Sequence, residues 1–140
     1  MRISNKITPF IRAARVAHLA TADAGGQPLV IPICFAFDGK EFFSPIDEKP
    51  KRTSPQQLKR LKNIRENAQV SLVIDCWDED WRKLAYVLVS GKARILHSGQ
   101  KHRRAVHVLR RKYRQYHTMA IEGRPMIAIK PLSVKTWGNF

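Results

Sequence analysis

Apolar residues in this chain recur mostly at every second position or in short unbroken runs, the spacings of half-buried and fully buried β-strands; three stretches instead carry helical spacing. Val16 to Thr21 begins a first strand, and residues 22–28, AlaAspAlaGlyGlyGlnPro, are turn chemistry. Leu29 to Phe37 is an apolar run, rich in branched residues and too short for an ordinary helix. Asp38-Gly39 separates it from LysGluPhePhe. An Asp-Gly pair supplies the positive φ that a two-residue type I′ turn needs at both central positions, so the second and third strands are expected to form a hairpin. Pro32 has no N–H to give to a ladder and marks a bulge or an unpaired edge, where backbone is open to a ligand.

Further along, Val70 to Asp75 reads as a fourth strand and Leu84 to Leu96 as a long fifth, with Gly91 as a bend or bulge that helps a sheet close. ProMetIleAlaIle at 125–129 is the sixth, followed by a tail through Trp137. Ser4 to Ala14 is a short helix limited by Pro9. Pro55 to Asn67 is a second, with Leu58, Leu61 and Ile64 on one face, and Gln100 to Tyr113 a third, with Ala105, Val108 and Leu109 inward and arginines outward. The expected fold is one mainly β (α+β) domain over residues 1–140, a six-stranded antiparallel β-barrel with flanking helices.

Charge sharpens this picture. Lys and Arg total 26 against 11 acids, a net charge of +15, which points to an anionic partner. Seven cations, Lys49, Lys51, Arg52, Lys59, Arg60, Lys62 and Arg65, fall within 17 residues just after the third strand. That is the footprint of a phosphate or another polyanion. From Trp81 to Ile121 there is no acid. Cys34 and Cys76 are separated by 41 intervening residues with no CxxC and no neighbouring His, so neither a disulfide framework nor a zinc site is signalled, and the expectation is a reduced, cytoplasmic protein. No run approaches the roughly 18 apolar residues of a membrane span, so no membrane partner is expected.

Several stretches, taken in order, resemble the landmarks of the pyridoxamine 5′-phosphate oxidase-like split barrels. They are ValAlaHisLeuAlaThrAlaAspAlaGlyGlyGlnProLeuValIleProIleCysPhe, AspGlyLysGluPhePheSer, LysAsnIleArgGluAsnAlaGlnValSerLeuValIleAsp and GlyLysAlaArgIleLeu. Residues 47–52, AspGluLysProLysArg, and 78–81, AspGluAspTrp, are similar to its coenzyme F420-dependent oxidoreductase branch. The resemblance implies a split barrel and a homodimer with a flavin-type cofactor in each groove between subunits. It also implies where the contacts fall. The ring would lie along Val30, Ile31, Pro32 and Ile33 and along Ser44, Pro45 and Ile46, and the phosphate would meet Lys51, with Arg52, Arg60, Lys62 and Asn63 nearby. ThrSerProGlnGln at 53–57 lengthens the link before the helix beyond the family's usual form.

No Ser-His-Asp elbow, HExxH, Gly-rich phosphate loop or framed carboxylate pair is present, so no catalytic side chain and no metal ligand is assigned. Hydride chemistry needs none, because the cofactor ring carries the electrons. The function read here is an oxidoreductase that uses a deazaflavin, coenzyme F420, on a small-molecule substrate. The alternatives are an FMN-dependent oxidoreductase of the pyridoxamine 5′-phosphate oxidase type, or a non-catalytic module binding cofactor or RNA, with nucleic acid the less favoured partner. The five histidines show no ligand spacing and read as packing or surface residues, the 101–114 helix as a solvated or tail-binding face, and Trp77, Trp81 and Trp137 as dimer or core anchors.

Overall fold

A computed structural model describes residues 1–47 and 58–140. The long alternating stretches pair first. Strand β5 (Gln69–Cys76) and strand β6 (Ala85–Leu96) form an antiparallel hairpin from Gln69↔Lys92 to Cys76↔Ala85. Val70, Leu72 and Ile74 point inward with Val87, Val89 and Ala93, as a period of two requires. On one side β5 pairs with β1 (Ala17–Ala22), which pairs with β2 (Pro28–Ile33); on the other, β6 pairs along its whole length with β7 (Met126–Gly138). Strand β7 then carries β4 (Phe42–Pro45), which pairs with β3 (Ala36–Phe37).

Among the described residues the sheet therefore has seven strands, in the order β2-β1-β5-β6-β7-β4-β3. The two edge strands are consecutive in sequence. Ile33 ends one edge and Ala36 begins the other, and three chain steps span at most roughly 11 Å. So short a link forces the sheet to curl until its edges nearly meet, which is the split barrel.

This corrects three sequence expectations. The run Leu29–Phe37 is two strands, not one, because it leaves one sheet edge and joins the other at Cys34 and Phe35; hence seven strands rather than six. The hairpin after it has a four-residue loop, not a type I′ turn. Only Gly39 has positive φ (99°), while Asp38 stays at negative φ and accepts the N–H groups of Lys40 and Glu41 on Oδ1, both at 2.8 Å. The tail after Ile129 is strand, since β6 is long enough to pair with all of it.

Two apolar clusters hold the sheet. The first fills the barrel with Leu19, Phe42, Leu72, Val87 and Ile127, and is capped by Ile11 of α1 (Thr8–Ala13) and by Leu61 and Ile64 of α2 (Lys59–Glu66). The second lies outside, where Ala105 and Leu109 of α3 (Gln100–Lys112) meet Phe43, Met126 and Ala128. Adjacent strand residues face opposite sides, so Phe42 and Ile127 enter one cluster while Phe43 and Ala128 enter the other. That is why PhePhe and MetIleAlaIle read as unbroken apolar runs.

The expected irregularity at Gly91 is present. The register shifts between Ser90 and Gly91, and Leu132 is the extra residue on β7. A Cβ on Gly91 would collide with the carbonyl oxygen of Lys130 and lie 3.1 Å from Ile129 Cγ2. Gly91→Ala is expected to lower stability by about 2 kcal/mol or more in urea unfolding. Gly123→Ala, where an added methyl meets nothing within 4 Å, should stay within about 1 kcal/mol of the wild type.

Candidate functional site

The barrel closure draws together the segments expected to hold a cofactor. As edge strand, β2 pairs only with β1, through His18↔Pro32, Ala20↔Val30 and Ala22↔Pro28. A proline fits a ladder only where no N–H is needed, so Pro28, Pro32 and, by the period of two, Val30 turn their backbone away from β1. The Val30 N–H is then the one outward donor between two prolines. Val30 and Pro32 also expose their side chains, whereas Ile31 and Ile33 pack into the barrel.

Ser44, Pro45 and Ile46 are buried, on the strand beside the closure. The Ser44 hydroxyl donates to the Cys34 carbonyl at 2.8 Å, joining the end of β2 to β4. Lys51 and Arg52, the expected phosphate ligands, lie outside the described residues. On α2, Lys62 is exposed, while Asn63 is fully buried and donates through Nδ2 to Thr21 Oγ1 at 3.0 Å. Because Thr21 is paired with Leu29, this bond sets α2 across β1 next to β2. Arg60 is half-buried, and burial lowers its pKa while nearby Asp47 opposes that shift. Its buried Nε has no hydrogen-bond partner among the described residues.

An anionic group fits this arrangement. A half-buried guanidinium with a buried N–H unmatched among the described residues is a donor suited to phosphate or carboxylate. Beyond Arg60 and the strand, the geometry holds features that the amino-acid pattern did not reveal. Asp47, which immediately follows Ile46, accepts the Tyr116 hydroxyl on Oδ2 at 2.8 Å, and burial together with that bond raises the Tyr116 pKa, so the phenol stays protonated. Arg124 donates from Nε to the Ile46 carbonyl at 2.7 Å and from Nη2 to the Asp47 carbonyl at 2.9 Å. Its own carbonyl lies 2.8 Å from His102 Nε2 on α3. Thus α3 clamps the exit of β4, and the buried His102 is the packing histidine that its sequence context implied.

The crossing residues have a second anchor. Tyr113 OH receives the Phe35 N–H at 3.1 Å and donates toward the Arg15 carbonyl at 2.8 Å. Lys112 Nζ sits 3.8 Å from the centre of the Phe35 ring, buried and without a hydrogen-bond partner among the described residues. Burial, with Arg15 beside it, lowers its pKa to about 8. A tyrosine and a lysine closing a basic helix are ordinary surface letters, so only the fold exposes these roles.

The curled seven-stranded antiparallel sheet with its flanking helices defines a split barrel. A family model for pyridoxamine 5′-phosphate oxidase matches residues 3–138, so the chain belongs to that flavin-binding family. Among its relatives, the 5a,11a-dehydrotetracycline/5a,11a-dehydrooxytetracycline reductase of Streptomyces rimosus is 28% identical over 141 residues, covering 99% of this chain and 84% of the reductase. A conserved hypothetical protein of Mycobacterium tuberculosis shares the fold with a TM-score of 0.78 at 20% identity, over 97% of this chain and 85% of that one. An F420 reductase does so with a TM-score of 0.65 at 19% identity, over 95% and 98% of the two chains. No helix among the described residues is long and apolar enough to cross a membrane.

Two substitutions at the closure should act in opposite directions. Tyr113→Phe leaves the buried Phe35 N–H without this acceptor and is expected to cost about 1–3 kcal/mol. Lys112→Met removes an unpaired buried amine and should raise stability at pH 7 by on the order of 1 kcal/mol, discounted for partial exposure. With a folded pKa of about 8 against an ordinary 10.5, the unfolded chain binds more protons between those values, so this group makes stability rise with pH there. Denaturant midpoints measured from pH 7 to 10 should therefore climb less for Lys112→Met than for the wild type.

Proposed function

We propose that this protein is a deazaflavin-dependent reductase of a small organic molecule, working as a homodimer. The observation that carries the reading is the half-buried Arg60 guanidinium, its Nε unmatched among the described residues, near Asp47 where the chain leaves β4. In this reading Arg60 and Lys62, with Lys51 and Arg52 from the basic turn, hold the cofactor phosphate. The Val30 N–H and the outward carbonyls of Pro28 and Pro32 orient the polar edge of the ring. Asn63 and Ser44 make no contact with the ring; they hold α2 and β4 in place through Thr21 and Cys34. The bound deazaflavin supplies a hydride, and the protein supplies binding, orientation and exclusion of water. The reductase relative supports reduction as the direction of the chemistry. A net charge of +15 suits a cofactor that carries a phosphate and a polyglutamate tail better than it suits compact FMN.

The dimer rests on exposed aromatic side chains gathered at one end of the sheet. Trp77 and Trp81 lie in the loop joining β5 to β6, and Tyr86 stacks on Trp137 with ring centres 6.1 Å apart. Trp81 is 72% exposed and Trp137 53%. Aromatic surface of this kind marks an interface. Light scattering of the full chain at micromolar concentration should give a dimer, and Trp137→Glu should shift it toward monomer; a wild-type monomer that still holds cofactor tightly rules the shared groove out.

Absorbance titration tests the cofactor. Deazaflavin should bind more tightly than FMN, and Arg60→Ala or Lys51→Ala should weaken it about 10- to 100-fold, the worth of one charge-assisted hydrogen bond. Lys6→Gln, an exposed change on the amino-terminal turn, should alter affinity less than about threefold. Equal or tighter FMN binding transfers the assignment to an FMN enzyme.

A further inference from the structure

One face of α3 holds the closure through Tyr113 and His102, and the cations on its other face call for a separate account. Between α1, the β3–β4 loop and the outer face of α3 there is a cavity of about 790 Å³. Six cations line it: Arg12, Arg15, Lys40, Arg104, Arg111 and Lys112. The single acid in the lining is Asp38, whose Oδ1 already accepts two backbone N–H groups of its own loop. Among the described residues, Arg12, Lys40, Arg104 and Arg111 form no ion pair. The neighbouring cations Arg94 and Lys101 show the contrast, because both are bound to Glu41, at 3.0 and 2.5 Å.

Six like charges around one concavity repel each other and destabilise the empty fold. Lys112 adds a buried amine unmatched among the described residues, a further cost that a methionine would avoid. Arg15 is anchored, with Nη2 donating to the Lys112 carbonyl at 3.0 Å and its guanidinium 4.8 Å from the Tyr113 ring centre. The Arg12 guanidinium lies 5.9 Å from the Phe37 ring centre, and Phe37 and Val108 give the cavity an apolar wall. Pre-positioned cations around a partly apolar concavity of small-molecule size describe a binding site rather than a solvated helix face.

We infer that this cavity is a second anion site, which binds a compact molecule carrying two or more phosphate or carboxylate groups. The inference does not depend on which cofactor occupies the barrel groove. A concave site with cations on opposing walls favours a compact ligand over a nucleic acid, which would need a stripe open at both ends. The shared chemistry has two sources, the anionic tail of a cofactor held in the groove or a separate metabolite, and competition tells them apart.

The test is calorimetry on the full chain with tripolyphosphate, and in parallel with citrate, at constant ionic strength. Saturable binding is expected, weakened at least about tenfold by Arg104→Gln combined with Arg111→Gln and weakened also by Lys112→Met. Lys6→Gln should leave it unchanged, and circular dichroism of each variant verifies its fold. If deazaflavin bearing its glutamate tail displaces tripolyphosphate while FMN does not, the site takes the cofactor's tail; if deazaflavin and tripolyphosphate bind together, it takes a separate anion, and either result upholds the site. Absence of saturable binding overturns it, as does binding that the folded double variant retains in full. Tighter binding of a short single-stranded RNA than of tripolyphosphate, with a steep salt dependence and the same sensitivity to the double variant, also overturns it in favour of a nucleic-acid surface.

Discussion

The barrel exists because the chain passes from one edge of its sheet to the other in two residues. Cys34 and Phe35 lie outside the strand ladders, yet Phe35 is fully buried, so its backbone polar groups need partners from side chains. The Ser44 hydroxyl satisfies the Cys34 carbonyl, and the Tyr113 hydroxyl receives the Phe35 N–H. One of these partners comes from the strand next to the closure and the other from the end of α3. Edge closure, helix docking and the shape of the proposed cofactor site are therefore parts of one constraint. If the crossing were looser, β2 and β4 would separate and the proposed ring site would lose one wall.

The regular parts of this architecture were readable from amino-acid order alone. Alternation over Leu84–Leu96 and the single Gly91 predicted a long bulged strand, and Leu61 and Ile64 predicted the buried stripe of α2; both are present. What escaped were features set by tertiary placement. A continuous apolar run does not reveal that it changes sheet edge partway, because both halves are buried and no polar residue marks the break at Cys34. Asp-Gly suggested a two-residue turn, but the Asp38 side chain satisfies two N–H groups of a longer loop instead and removes the need for positive φ at that residue. The mixed polar stretch after Ile129 reads as a tail because one face of it is open to solvent, and only the length of β6 makes it strand.

Of the candidate site, the edge strand was legible for a related reason. Pro32 on an apolar run announces an edge, and β2 is one; the run of cations after the third strand is the basis of the proposed anion site. The clamp that holds the exit of β4 carries no such mark. Arg124, Tyr116 and His102 lie far from Asp47 in sequence, and each would be unremarkable on a surface; they matter because the fold buries them together around one backbone turn. Hydrogen bonds of this kind are invisible to spacing, since they depend on which loop lands beside which strand.

Helix α3 therefore serves two ends at once. Its apolar face builds the outer cluster and, through Tyr113 and His102, fixes the closure and the exit of β4; its basic face lines the second cavity. Lys112 stands at the junction, against the Phe35 ring on one side and the cavity on the other. An amine buried with a lowered pKa opposes folding, and a fold under selection for stability alone would replace it with an apolar side chain of similar size. Lys112 and Ser44 thus meet the crossing from two sides, one at the Phe35 ring and the other at the Cys34 carbonyl.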